Sequence, residues 1–250
     1  MIEQSFIFLK DVSYKTENLI WSQAKDWNSF LSAPALSGIS SRKKFFHDAQ
    51  LRQAQKILLS ENIHALAKLF PKREHWRLYD WFKDEAVFLD IETSMSYGNI
   101  TVIGLYDGKE TKQLVKGFNL DKDLLKRELS QYKLLITFNG ASFDLPVIQR
   151  YFKDILPNIP HIDLRSVCTR IGWTGGLKKI EQDIGIKRPG ELDGMAGGDA
   201  IILWDKFIHT EDRSYLDKLL LYNEQDILNL KPLANQSISR LWKKTRNDSN

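Results

Sequence analysis

Ala86-Val87-Phe88-Leu89-Asp90-Ile91-Glu92-Thr93 is an apolar run of strand type that ends on two acids. In an extended chain residues i and i+2 point to the same side, so Asp90 and Glu92 are expected to share one face. The residues before them are apolar without alternation, the pattern of a strand buried on both sides in the middle of a sheet. Two carboxylates on such a strand are costly unless a cation or a proton offsets them. A frayed strand end facing water is the plainer account of the pair taken alone.

Downstream, the segment from Gly98 to Tyr106 is rich in β-branched residues and predicts a second strand. Asp107-Gly108 is a hairpin turn signal, and Thr111 to Phe118 predicts a third strand. Asp121 to Gln131 reads as a helix with an acidic first turn, which suits the helix dipole. Leu134 to Phe138 predicts a buried fourth strand, and Leu145 to Phe152 a helix started through Asp144 and Pro146. The order β-β-β-α-β-α describes an α/β domain: a three-stranded meander, then a crossover to a strand that can pair parallel with the first. Further on, Leu177 to Asp183 predicts a short helix. Gly185 to Gly198 is turn-rich, and Ala200 to Ile208 and Tyr215 to Leu233 predict helices.

Residues 1–83 read as a separate, mainly helical lobe. Ala49 to Leu59 and Ile63 to Phe70 carry helical patterns, and Pro71 stops the second. Ser5 to Leu9 is a brief apolar run that suits a strand or an ordered lead-in, and Ser13 to Asn18 looks turn-like. Trp21, Trp27, Trp76 and Trp81 all fall here. Aromatics interleaved with bases can stack on single strands; more often they are the core and lid of a small helical lobe. The lobe holds 13 Lys and Arg against 8 Asp and Glu, an excess of +5, and the remainder carries −1, which together make the net +4. A basic lobe can contact phosphates, or simply be a solvated helical surface. The segment 241–250 is expected to be a polar tail, with 84–240 as the central domain.

With 42% hydrophobic and 27% charged residues, the composition is that of an ordinary globular protein. One cysteine, Cys168, excludes an internal disulfide framework and fits a reducing compartment. No basic segment followed by an apolar stretch opens the chain, and no apolar run approaches the ~18 residues of a membrane span. The expectation is a cytoplasmic protein without a membrane partner; nothing in the sequence points to a protein partner.

Two further contexts complete the acidic set: Asn139-Gly140-Ala141-Ser142-Phe143-Asp144 and Tyr222-Asn223-Glu224-Gln225-Asp226. Asp144 follows the fourth strand, whose end is expected beside the end of the first; it is also a favoured helix cap. Tyr222 and Asp226 are four apart and share a helix face. Carboxylate oxygens without Cys or His clusters suit Mg²⁺ or Mn²⁺ rather than zinc. Two such ions ~3.5–4 Å apart can clamp the attacking and leaving oxygens of a phosphodiester.

In this order the three contexts resemble the exonuclease motifs of the DEDD superfamily of 3′–5′ exonucleases, on a ribonuclease-H-like fold. Asp90 and Glu92 match its Asp-x-Glu motif. Phe143-Asp144 after Asn139 matches its second. Tyr222 four residues before Asp226 matches the tyrosine type of its third, DEDDy. Leu89-Asp90-Ile91-Glu92-Thr93, Thr137-Phe138-Asn139-Gly140-Ala141-Ser142-Phe143-Asp144-Leu145-Pro146, His161-Ile162-Asp163-Leu164 and Gly176-Leu177-Lys178-Lys179-Ile180-Glu181 resemble the YprB-type domain more closely, over roughly residues 84–236.

The resemblance implies a mixed five-stranded sheet flanked by helices and a two-metal mechanism. It implies cleavage of single-stranded or frayed nucleic acid from the 3′ end to 5′-mononucleotides, with DNA somewhat favoured over RNA. It implies that Asp90, Glu92 and Asp226 hold the cation that activates water, and that Asp90 and Asp144 hold the one at the leaving oxygen. Tyr222 would orient the water, Asn139 would shape the 3′-end pocket, and Lys178 and Lys179, with Lys187 and Arg188, would lie along the substrate backbone. The rivals are a catalytically silent nucleic-acid-binding module and an endonuclease of the ribonuclease H type.

Overall fold

Four side chains set the starts of the N-terminal helices. Ser13, Asp26, Ser40 and Asn62 each accept the amide three residues on, opening α1 (Tyr14–Trp21), α2 (Trp27–Ser32), α3 (Ser41–Leu59) and α4 (Ile63–Leu69). A computed structural model describes residues 1–95, 99–192 and 194–247. They form two compact units, Met1–Lys83 with Ile238–Asn250, and Asp84–Ser237. In the first unit the turn expected at Ser13 to Asn18 is instead the start of α1, because Ser13 caps it and Ile20 and Trp21 give it a buried face. The run Ser5 to Leu9 is no strand. The amides of Phe6 and Ile7 donate to the Glu17 carboxylate, which takes the place of a strand neighbour. After Pro71 a 3₁₀ stretch, Lys72–Leu78, leads into α5 (Tyr79–Phe82). Trp21, Trp27 and Trp76 are buried and belong to the core rather than to a stacking surface; Trp81 alone of the four is exposed.

The second unit is built on a five-stranded mixed sheet in the order β3-β2-β1-β4-β5. β1 (Ala86–Thr93) is central, antiparallel to β2 (Ile100–Tyr106) and parallel to β4 (Leu134–Thr137). β3 (Thr111–Val115) pairs with β2 across the turn at Asp107, and β5 (His161–Asp163) pairs parallel with β4. The expected start of the second strand at Gly98 and one residue of the turn-rich segment, Asp193, lie outside the described residues. β3 stops at Val115 rather than Phe118, since the Asn119 side chain accepts the Val115 amide and donates to the Gln113 carbonyl.

Alternation along β1 sorts the sheet's two faces. Val87, Leu89 and Ile91 join a core with residues of α6 (Lys122–Leu129) and α7 (Asp144–Phe152). The opposite face carries Val102 and Val115 against Ala200 and Trp204 of α10 (Gly197–Thr210) and Leu216, Leu219 and Tyr222 of α11 (Arg213–Asn247). In chain order α8 (Leu164–Arg170) and α9 (Leu177–Asp183) come between α7 and α10. The helix expected to end at Leu233 continues to Asn247, with Pro232 inside it. The residues read as a polar tail from 241 are therefore helical as far as Asn247, and 248–250 lie outside the described residues. Leu230, Leu233, Ala234, Ile238 and Leu241 are all buried at helical spacing, and that burial outweighs the roughly 3 kcal/mol a proline costs within a helix.

Candidate active site

The parallel pairing of β1 with β4 ends at Phe88 and Ile136. Beyond Phe88, β1 is paired on the β2 side alone among the described residues, and the Ile91 amide is left to a side chain. Asp144, in the first turn of α7, accepts it at 3.1 Å. The crossover thus brings the second acidic context to the first. The loop before α7 is held by Asp163, whose two carboxylate oxygens accept the Asn139 and Ala141 amides at 2.8 and 3.1 Å.

The third context arrives by a close approach. Gly104 pairs with Asp90 in the sheet. A Cβ at Gly104 would stand 2.2 Å from the Asn223 side-chain oxygen and 3.1 Å from Ile227. Only a glycine lets α11 lie this near the sheet. Asn223, fully buried, then donates to the Asp90 carboxylate at 3.0 Å. Tyr222 and Asp226 project one turn apart beside it.

One carboxylate oxygen each from Asp90, Glu92 and Asp226 lies within 4.8 Å of the others. These three residues, Tyr222, Phe143, Thr93, Gly197 and Ile201 line a cavity of about 330 Å³. Asp144 stands outside the three-oxygen group, committed to the Ile91 amide. Of the expected substrate contacts, Lys178 is at the site: its ammonium lies 4.2 Å from the centroid of the Tyr222 ring and donates to the Met195 carbonyl. Lys179 instead forms an exposed ion pair with Asp183. Asn139, in a left-handed backbone conformation, accepts from Ser142 and Arg165 and does not line the cavity.

Burial raises the pKa of all four acids, and repulsion from other members of the cluster adds to it for Asp90, Glu92 and Asp144. Asp90 is pushed well above the carboxylate range by burial, then by Asp226, Asp144 and Glu92, with Asn223 opposing. Glu92 is raised by burial and by Asp226 and Asp144, against Lys178 and Arg188. Burial lifts Asp144 to about 7, although hydrogen bonds from its own amide and that of Ile91 pull it down. Asp226 rises to about 6 by burial, against the Arg188 guanidinium on it. The Tyr222 phenol is pushed up by burial and the neighbouring acids, so at neutral pH it keeps its proton. An oxygen-only donor set with this excess of negative charge fits a hard divalent cation.

One neighbour of the acids escaped the sequence reading. Asn223 carries no signal of its own in the sequence; the isolated Gly104 in a β-branched strand is the signal that another element comes close. Arg188, expected along the substrate backbone, donates to both Asp226 and Glu181 from a position only 10% exposed.

The family model for the RNase_H superfamily matches residues 87–238, a span that contains every residue of this cluster. No curated protein matches the chain. Among solved structures, the family B DNA polymerase of the hyperthermophilic archaeon Pyrobaculum calidifontis is similar at 13% identity and a TM-score of 0.47, over 60% of this chain and 24% of that one. Escherichia coli RNase D, an exoribonuclease involved in structured RNA processing, is similar at 16% identity and a TM-score of 0.48, over 71% of this chain and 46% of that one. The chain therefore spans about a quarter and about half of these two.

Proposed function

Because the chain belongs to the RNase_H superfamily, and because its acids meet on one side of the central strand, we propose that it is a metal-dependent 3′–5′ exonuclease of the tyrosine type. Its substrate would be the 3′ end of single-stranded or frayed DNA or RNA. The observation that carries this reading is the convergence of Asp90, Glu92 and Asp226 within 4.8 Å in a cavity that Tyr222 also lines.

Asp90, Glu92 and Asp226, with Asp144 beside them, are the residues that would hold two Mg²⁺ or Mn²⁺ ions. Bound there, such ions supply Lewis-acid charge at the attacked phosphate and the leaving oxygen. The chain's own residues do the rest. Tyr222, protonated and buried at the cavity wall, positions the attacking water by hydrogen bonding. Asn223 holds Asp90 in place. The closed floor of β1 and the apolar wall of Phe143 and Ile201 limit the space around the terminal nucleotide. The water oxygen forms a new bond to phosphorus, the bond to the preceding 3′-oxygen breaks, and the water's proton ends on that leaving oxygen. The product is a 5′-mononucleotide.

The test is digestion of matched DNA and RNA oligonucleotides, labelled at the 5′ end, with Mn²⁺ and beside Asp226→Ala. The expected result is a ladder that shortens from the 3′ end and is lost in the variant. Cleavage of a 3′-blocked strand would make the protein an endonuclease. Binding that persists in EDTA with no cleavage of either strand would make it a silent binding module.

A further inference from the structure

Arg188 sits in the irregular stretch after α9, yet its side chain is only 10% exposed. Its guanidinium is fixed from two directions. The Nε donates to Glu181 at 2.6 Å, and Nη2 donates to the other Glu181 oxygen at 2.8 Å and to Asp226. The third nitrogen, Nη1, has no hydrogen-bond partner among the described residues. A buried donor left unmade is costly, and a buried charge more so. Arg188 also lies 5.8 Å from the Tyr222 ring. It lines a second cavity of about 490 Å³ together with Lys178, Lys187, Gly185 and Met195. The guanidinium therefore stands at the boundary of two spaces: it grips a carboxylate that lines the first and is itself a wall of the second.

A structural arginine needs no such arrangement, since Glu181 alone neutralises it. Four acids and two divalent cations balance, and a phosphate with its attacking oxygen then adds negative charge. A fixed cation beside Asp226 answers that addition without having to reorganise. The planar fork of arginine matches phosphate oxygens better than an ammonium does. Lys178, the other cation at the site, already donates to the Met195 carbonyl.

We propose that Arg188 is a further catalytic residue of this chain, donating to a non-bridging oxygen of the phosphate being cut, while Glu181 holds it in position. The inference rests on the nuclease reading, and its test separates the two. Wild type, Arg188→Gln and Arg188→Lys are titrated calorimetrically with Mn²⁺ alone, and then with 5′-AMP in the presence of Mn²⁺. Both variants are expected to lose 5′-AMP affinity by ~10-fold or more, the scale of a charge-assisted hydrogen bond. Mn²⁺ affinity stays equal or tightens, because Asp226 is released. Arg188→Lys keeps the charge and serves where Arg188→Gln does not fold. Three results overturn the proposal: no 5′-AMP binding by wild type, unchanged binding in the variants, or Mn²⁺ affinity lost in the same proportion as nucleotide affinity. A wild type that binds 5′-AMP through Arg188 yet leaves every oligonucleotide intact keeps the phosphate site and ends the nuclease reading. A nuclease indifferent to Arg188→Gln ends the Arg188 role alone.

Discussion

Each unit of the molecule buries a cluster of charges, and the two clusters are closed in opposite ways. In the N-terminal unit Arg77, Glu17 and Glu74 are fully buried. Arg77 donates to both oxygens of Glu17 at 2.8 and 2.9 Å, and to Glu74 at 2.7 Å. Glu17 also accepts the amides of Phe6 and Ile7, Tyr14 donates to Glu74, and Trp21, Trp76 and Trp242 surround the guanidinium. Burial works against the Arg77 charge, but Glu17 and Glu74 more than offset it, and its pKa rises. Arg246, close enough to act on Glu17, supplies the further positive charge. The cluster in the second unit gathers Asp90, Glu92, Asp144 and Asp226, with Arg188 as the cation directly bonded to it. Charges that the chain balances for itself hold a fold together. Charges of one sign left in excess at a cavity are waiting for something from outside.

The largest expected effect is chemical and falls on the unbalanced cluster. Asp226→Asn should lower the cleavage rate by ~10³-fold or more, the equivalent of the several kcal/mol that metal ions supply at a transition state. The same change removes a charge that burial disfavours, so without metal its melting temperature at pH 8 should equal or exceed that of the wild type. A variant that melts well below wild type would assign Asp226 to the first kind of cluster instead.

The balanced cluster should respond in the other currency. Arg77→Met leaves Glu17 and Glu74 buried without their cation, a change that typically costs ~3–5 kcal/mol. For a chain of this size each kcal/mol moves the midpoint by roughly 2–4 °C. The expected outcome is a melting temperature lower by about 10 °C, with cleavage per folded molecule unchanged below the new midpoint. A cutting rate that collapses while the melt is unmoved would erase the contrast.

The two clusters were not equally legible. Asp90 with Glu92, and Tyr222 with Asp226, were readable because each pair has its own local spacing, i and i+2 on a strand and i and i+4 on a helix, and Asp144 because it follows a strand expected to end beside the first. The sheet was readable for the same reason, since β1 and β4 are apolar runs and Asp107-Gly108 marks the hairpin. What escaped depends on partners far apart in the chain. Glu17 and Arg77 are 60 residues apart and Asn223 and Asp90 are 133 apart. The Ser5 to Leu9 run looked like a strand because nothing nearby shows that a carboxylate ten residues on will take its amides. The two carboxylates that fix Arg188, Glu181 and Asp226, lie 7 and 38 residues from it.

The smallest expected effect is a slope, and it separates the clusters without touching activity. Asp90, Glu92, Asp144 and Asp226 all hold their protons more tightly in the folded chain than an exposed carboxyl does. An unfolded carboxyl gives up its proton near pH ~4, and the folded Asp226 and Asp144 near about 6 and 7. Between these limits the folded state binds protons that the unfolded state has lost, so stability falls as pH rises. Metal-free protein should therefore melt several degrees lower at pH 7.5 than at pH 5, on the scale of roughly 2–4 °C per kcal/mol. Mn²⁺ should flatten that slope, because the cation replaces the protons. Asp144→Asn should weaken it. A wild-type slope of the opposite sign in the absence of metal would mean that the acids are already balanced from within, and the difference between the two clusters would be one of place rather than of kind.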